Sequence, residues 1–152
     1  MDEPILNNII PKGFKPRNFG DGFVGVNGPL YTRLNDGKLQ VGFLVEPRHT
    51  NPMGICHGGM LATFADMLCP ISAHVHCEAA KGRFLPTISL QIDYMASAKL
   101  GSWVQGEAEV LRVTRTMVFM QGLISSGDIT IARVSGIFKL GPEFKGAMDR
   151  RD

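Results

Sequence analysis

One segment constrains the fold more than any other, the stretch from residue 58 to about residue 80. Its large apolar residues recur at steps of three and four, which is the period of an amphipathic helix. Small residues fill much of the remaining surface, so the first half of the predicted helix has little polar face. A helix that is apolar nearly all round is normally buried. The rest of the chain therefore has to cover it.

The segments on both sides of this helix have the pattern of β-strands. A hairpin is predicted around Asn35-Asp36-Gly37, because these residues tolerate positive φ and strand-like residues flank them. Four more strands are predicted at 85–95, 103–113, 117–124 and 129–140. Their short turns predict an antiparallel meander. The expected fold is α+β, with a long central helix wrapped by a curved antiparallel sheet. Pro70 predicts a kink or break in that helix.

A chain of 152 residues corresponds to one domain. We predict an N-terminal arm at 1–28, a single domain at 29–140 and a C-terminal tail at 141–152. The arm carries Phe14, Phe19 and Phe23. It fits either a surface-hugging segment anchored by these three rings or a lid over a ligand pocket.

Composition argues against several partners. The net charge is only +2 and no run of Lys and Arg is present, so nucleic acid is not expected. No apolar stretch approaches the roughly 18 residues that a bilayer span needs. Cys56, Cys69 and Cys77 are few and odd in number, and the N-terminus does not resemble a signal peptide. We therefore expect a cytoplasmic protein with reduced thiols.

No metal site or cofactor is predicted. His74 and His76 are two residues apart, so on a helix they point about 200° away from each other. The chain has no H-x-x-x-H and no C-x-x-C spacing. Cys56 stands beside His57 and is a lesser candidate for a thiolate nucleophile, because adjacent side chains rarely face each other.

The start of the helix and the acid within it point to acyl-transfer chemistry. The first amides of a helix lack intrahelical partners and lie at its positive end, and Gly58 and Gly59 leave that end open. Such an N–H can stabilise an oxyanion. Asp66 stands where a core helix normally has an apolar residue, and it could act as a base or a nucleophile. Two structural alternatives stay open. His57-Gly58-Gly59 could be only a flexible entry turn, and Asp66 could serve as a structural cap or in an ion pair.

The spacing from His57 to Asp66 separates the two side chains. Nine helical residues correspond to half a turn beyond two full turns and a rise of roughly 13 Å. The two groups therefore cannot meet on one helix. If both belong to one active site, they must come from two copies of the chain. The spacing thus predicts a homodimer with composite sites.

Several motifs together resemble one known family. They are residues 51–59 with Asp66 seven residues after Gly59, then 86–90, 93–95 and 98–99, and finally 113–116. These residues resemble the hotdog-fold acyl-CoA thioesterases, in the phenylacetate-pathway (PaaI-like) branch, over about 30–140. The resemblance implies a helix wrapped by an antiparallel sheet, a dimer with a continuous sheet, and often a tetramer.

The resemblance also implies roles for single residues. It gives Asp66 the role of the acid, Gly58 that of the amide that polarises the thioester, and Thr87 that of the hydroxyl that positions water. The loop amide and imidazole correspond to Asn51 and His57. Substrate contacts are implied for Gly59, Arg115 and Thr116, the last two at the nucleotide end of coenzyme A.

The predicted function is hydrolysis of an acyl-CoA to a free acid and coenzyme A, with Asp66 as base or nucleophile. The acyl group stays open. One alternative is a non-catalytic acyl-CoA-binding module, since one fold supports both. A second is a hotdog hydratase acting on an enoyl-CoA, which normally uses a differently spaced Asp/His pair.

Overall fold

A computed structural model of the protein describes residues 8–144, so 1–7 of the predicted arm and 145–152 of the predicted tail lie outside it. Besides helical residues 8–9 at the start of this range, it contains two α-helices and seven strands. The helices are α1 (Phe23–Asn27) and α2 (Gly58–His76). The strands are β1 (Lys15–Arg17), β2 (Leu30–Asn35), β3 (Lys38–Leu44), β4 (Thr87–Tyr94), β5 (Trp103–Val113), β6 (Met117–Ser126) and β7 (Ile129–Lys139).

The strands form one sheet in the order β1-β2-β3-β5-β6-β7-β4, and the neighbouring strands pair antiparallel. The prediction of an α+β, hotdog-like fold is confirmed. The prediction of a simple meander is wrong for β4. Of the four strands after α2, only β5, β6 and β7 follow one another in space, whereas β4 pairs with β7 at the far edge. Residues 95–102 cross to the other side, where β5 pairs with β3, and strand patterns alone do not specify such a crossover.

Helix α2 begins at Gly58, as predicted, but ends earlier than expected. It closes at His76, where the Cys77 N–H donates to the Ala73 carbonyl, and a 3₁₀ turn follows at Glu78–Ala80. The helix continues through Pro70 without a break. Proline removes one hydrogen bond, that to the Asp66 carbonyl. The packed face of the helix maintains the turns on both sides of this gap.

One face of α2 packs on the sheet. Phe64 and Leu68 are fully buried, and Phe64 lies 5.0 Å from Phe43, centroid to centroid. Burying a side chain of this size contributes about 1.5–3 kcal/mol. Gly106 permits the close approach, because a Cβ there would lie 2.6 Å from Leu68 Cδ2. The opposite face, which carries Asp66, is only half-buried, so a single chain does not enclose the helix as its composition predicts.

The turn of the β2–β3 hairpin is as predicted, with φ of 49° at Asp36 and 77° at Gly37. The arm is more structured than its sequence indicated, since β1 adds an edge strand to β2. Phe14 is buried with its ring 4.9 Å from that of Trp103. Phe23 is 70% exposed, so the prediction that three rings anchor the arm is wrong for this residue.

Candidate active site

The first turn of α2 presents a free amide. His57 is the N-cap, and its Nδ1 accepts from the Gly59 N–H at 2.7 Å. The N–H groups of Met60 and Leu61 both donate to the His57 carbonyl. The Gly58 N–H has no hydrogen-bond partner among residues 8–144. It therefore remains available at the positive end of the helix, where an oxyanion would be stabilised.

Asp66 lies on the half-buried face of α2 and is paired with a hydroxyl. Thr87, the first residue of β4, donates from Oγ1 to Asp66 Oδ1 at 2.5 Å. Within the described part of the chain the ion pairs are Arg48–Glu46 and Arg133–Asp93, so Asp66 has no cationic partner. The carboxylate is thus held by a neutral donor at the edge of an apolar face, and the predicted ion-pair alternative is not observed.

The loop before the helix is fixed by backbone contacts. Asn51 Oδ1 accepts from the N–H groups of Met53 (3.0 Å) and Ile55 (3.4 Å), which is an Asx turn. Its side-chain NH₂ is not used in that turn. The Cys56 N–H donates to the Ala98 carbonyl at 2.7 Å and the His57 N–H to the His49 carbonyl at 2.8 Å. Asn51 therefore has an ordinary turn role and still offers a donor.

The candidate residues form two separate groups in one chain. Tyr94 at the end of β4 contacts Gly58, and Thr87 at its start contacts Asp66, so β4 runs opposite to α2. Eight helical residues rise about 12 Å, and seven strand steps cover about 23 Å. No hydrogen bond among the described residues joins the Asn51–His57 loop to Asp66.

The cavities found lie elsewhere. One of about 420 Å³ is bordered by the arm and includes Phe19 and Arg48. Another, of about 590 Å³, is bordered by the hairpin tip, His76 and β5–β7. Neither includes Asp66. Asp66 itself is half-buried, so its face of the helix is partly accessible in one chain.

Arg115 and Thr116 lie in the exposed turn between β5 and β6. The Thr116 carbonyl accepts from the Leu140 N–H, and the Lys139 N–H donates to the Pro86 carbonyl. The turn is therefore at the same end of the sheet as Thr87, two strands away. That position is compatible with a contact to a substrate lying across this end.

The cysteine and histidine candidates have other environments. Cys56 is buried, and burial raises the pKa of its thiol to about 11. It is therefore protonated near neutral pH and is a poor nucleophile. His74 Nε2 contacts the Arg83 carbonyl, while His76 Nε2 accepts from the Leu39 N–H. Across residues 8–144 no three His, Cys, Asp or Glu side chains are grouped as a metal ion would need.

Tyr94 is a site contact to which the sequence pattern gave no role. Its hydroxyl donates to the Gly58 carbonyl at 2.8 Å. Tyr94 belongs to the 93–95 motif of the resemblance. A tyrosine in the strand that follows a Gly-Gly helix start is the only sequence feature that could have indicated this contact.

No helix in the described part of the chain is long and apolar enough to cross a bilayer.

Comparisons with known proteins agree on one family. The profile of the Thioesterase superfamily matches residues 53–132, just over half of the chain. Human acyl-coenzyme A thioesterase 13 is 34% identical over 83 residues, which cover 55% of this chain and 57% of that protein.

Two solved structures have the same fold. The zebra fish thioesterase superfamily member 2 superposes with a TM-score of 0.71 at 28% identity, covering 81% of this chain and 89% of that one. The phenylacetic acid degradation protein PaaI of Thermus thermophilus gives a TM-score of 0.65 at 22% identity, covering 78% and 98%.

Proposed function

Because this chain belongs to the Thioesterase superfamily, we propose that it hydrolyses the thioester bond of an acyl-CoA to a free acid and coenzyme A. Asp66 carries the proposal. It is a carboxylate on the half-buried face of a largely apolar helix, and its partner is the hydroxyl of Thr87 at 2.5 Å. This hydrogen bond fixes the orientation of one carboxylate oxygen. The other oxygen is free to accept a proton or to attack the thioester carbonyl.

The reaction proceeds through addition to the thioester carbonyl. In the base route Asp66 takes a proton from water, and the water oxygen bonds to the carbonyl carbon. The charge that develops on the carbonyl oxygen is stabilised by the unpaired Gly58 N–H, a type of contact worth roughly 2.7–4 kcal/mol of barrier. The C–S bond then breaks, and the proton held by Asp66 passes to the coenzyme A thiolate. In the nucleophile route the carboxylate adds first, and the C–S bond breaks to release the coenzyme A thiolate. Water then hydrolyses the resulting anhydride, and the proton it releases passes to the thiolate.

Two copies of the chain complete the site in this proposal. Among residues 8–144 the strand β4 pairs with β7 on one side only, so its other edge has no strand partner there. Ile88, Tyr94 and Met95 along it are each more than half exposed. Such an edge is a template for pairing with another strand.

An antiparallel β4–β4 pair has a two-fold axis, and here it would lie near Leu90 and Gln91. It would bring the Thr87 end of one chain to the Tyr94 end of its partner. Asp66 and Thr87 would then face the partner's Asn51, the partner's His57 and the partner's Gly58. The separation of the two groups within one chain supports this composite arrangement.

Thiol release across a panel of short-chain, medium-chain and aromatic acyl-CoAs tests the proposal. We expect turnover of at least one member by the wild type, and a loss of about 10²–10⁴-fold in kcat for Asp66→Asn, because the proton acceptor is removed. Asp128→Asn, the same change in the exposed β6–β7 turn, is the matched control and should retain activity.

Wild-type activity in Asp66→Asn would contradict the assignment of the acid. Saturable binding of an acyl-CoA without thiol release would indicate the binding module instead. Addition of water to an enoyl-CoA, measured from the loss of its double bond, would indicate the hydratase.

A further inference from the structure

Tyr94 makes the most direct contact with the start of α2. Its hydroxyl donates to the Gly58 carbonyl at 2.8 Å, and its ring lies 3.5 Å from the point where a Cβ on Gly58 would be. That distance is an ordinary van der Waals contact, so the ring packs against the start of the helix. The tyrosine is on β4, so it ties the first helical residue to the edge strand of the sheet.

The contact continues through one peptide unit. The Gly58 carbonyl and the Gly59 N–H belong to the same amide group, and that N–H donates to His57 Nδ1 at 2.7 Å. A hydrogen bond accepted by an amide oxygen makes the N–H of the same amide a stronger donor, because hydrogen bonds in a chain polarise one another. Tyr94, the Gly58–Gly59 amide and His57 therefore form one directed chain.

This chain determines which nitrogen of His57 carries the proton. Since Nδ1 accepts, the proton of the neutral ring is on Nε2. The side chain is exposed, and Nε2 has no hydrogen-bond partner among the described residues. The exposed ring thus offers an N–H donor at the same end of the helix as the free N–H of Gly58. Two donors at one helix end suit a carbonyl oxygen that gains negative charge.

We propose that Tyr94 is a positioning residue, which acts through the Gly58–Gly59 amide to hold His57 in its Nε2–H form and to fix the donors that face the thioester. This inference rests on the proposed function for its catalytic consequence. The effect of Tyr94 on His57 does not depend on the proposed function. The two consequences are therefore measured separately.

The first measurement is the kinetics of Tyr94→Phe, which keeps the ring on Gly58 and removes only the hydroxyl. We expect kcat to fall about threefold to tenfold with KM within about twofold, because one net hydrogen bond that orients the transition-state donors is lost. Tyr31→Phe, the other tyrosine of the chain, lies beside Trp103 and is the matched hydroxyl deletion; it should leave both constants unchanged.

The second measurement is ¹⁵N NMR of the His57 ring in the protein without substrate, at about pH 8.5, where an ordinary histidine is neutral. In the wild type we expect the Nε2–H form. In Tyr94→Phe the ring nitrogen signals should move toward a mixture of the two forms, while Tyr31→Phe matches the wild type. A purely structural tyrosine would lower stability without moving these signals.

Unchanged His57 signals in Tyr94→Phe would overturn the proposal, as would a change confined to KM. If the wild type turns over no acyl-CoA, the proposed function fails, and the ring signals still decide the action of Tyr94 on His57.

Discussion

Asp66 and Thr87 illustrate what single residues contribute and what a sequence reveals of them. The acid stands out in the sequence because an unpaired buried carboxylate is costly. Its hydroxyl partner does not stand out, since 21 residues separate Thr87 from Asp66 and only the family resemblance connected them. The unpaired Gly58 N–H follows from helix geometry, whereas the Tyr94 contact depends on where the edge strand lies. Local chemistry was therefore predictable from the residues, whereas of the long-range partners Thr87 came from the resemblance and Tyr94 was missed.

Cys69 should make stability depend on pH. Burial, and secondarily the charge of Asp66, raise the pKa of its thiol from 9.0 to about 12. In the unfolded chain the thiol loses its proton near pH 9, while the folded protein keeps it, so the folded state binds more protons between these values. The free energy of unfolding should therefore fall as pH rises from 9, by up to about 1.4 kcal/mol per pH unit.

Urea unfolding at about pH 8.5, 9.5 and 10.5 measures this fall. Cys69→Ala is the control, and its curve should be flatter over the same window. Parallel curves for the two proteins would show that the thiol does not titrate differently on folding.

At the scale of elements, the sequence pattern predicted the secondary structure of each segment better than its position in the fold. Strand β5 has the predicted bounds of 103–113, and α2 starts at the predicted residue. The position of β4 at the edge was missed, because its exposed and half-buried residues do not specify a neighbour. The short strand β1 was also missed, since three exposed residues carry no alternation.

His49 links helix α1, the end of the β3 segment at Glu46 and the start of α2. Its Nδ1 accepts from the Glu46 N–H at 3.0 Å, so the ring proton is on Nε2, which donates to the Asn27 carbonyl at 2.7 Å. The Nε of Arg48 lies 3.4 Å from Nε2, but there one donor faces another. The His49 carbonyl accepts from the His57 N–H. The buried ring thus joins α1 to the loop that precedes α2.

His49→Ala should lower the free energy of unfolding by about 2–4 kcal/mol, because it leaves a part-buried N–H and a part-buried carbonyl unpaired and creates a cavity at a buried ring. Chemical denaturation measures the loss. His76→Ala removes an exposed ring that accepts one bond, from the Leu39 N–H, and should cost less than about 1 kcal/mol. Equal losses in the two variants would mean that the His49 network does not stabilise the fold.

For the whole molecule, the family and the hotdog-like fold predicted from the 51–66 and 86–116 motifs are confirmed. The homodimer and its doubling to a tetramer stay predictions. The prediction of a dimer rests on the half-turn between His57 and Asp66 in one chain. The acyl specificity was not foreseeable, because in the predicted dimer the wall opposite Asp66 belongs to another subunit.

Mixing two inactive variants tests the composite site. His57→Ala impairs one half of a site and Asp66→Asn the other, so a mixed dimer contains one site with both changes and one intact site. After the two are unfolded together and refolded in equal amounts, we expect about a quarter of wild-type activity, since half of the dimers are mixed. Thiol release measures it, and each variant refolded alone is the control. No recovery, with subunit exchange verified by a mass tag, would place each site within one chain.

The continuous helix between Gly58 and Asp66 also limits how a chain of this kind can diverge. Inserting or deleting one residue there would turn the carboxylate by about 100° around the axis and move it about 1.5 Å along it. In a two-fold dimer a single such change damages both sites at once. The tip of the β2–β3 hairpin carries no comparable restriction. Selection on this stretch should therefore preserve its length more strictly than the identity of most of its residues.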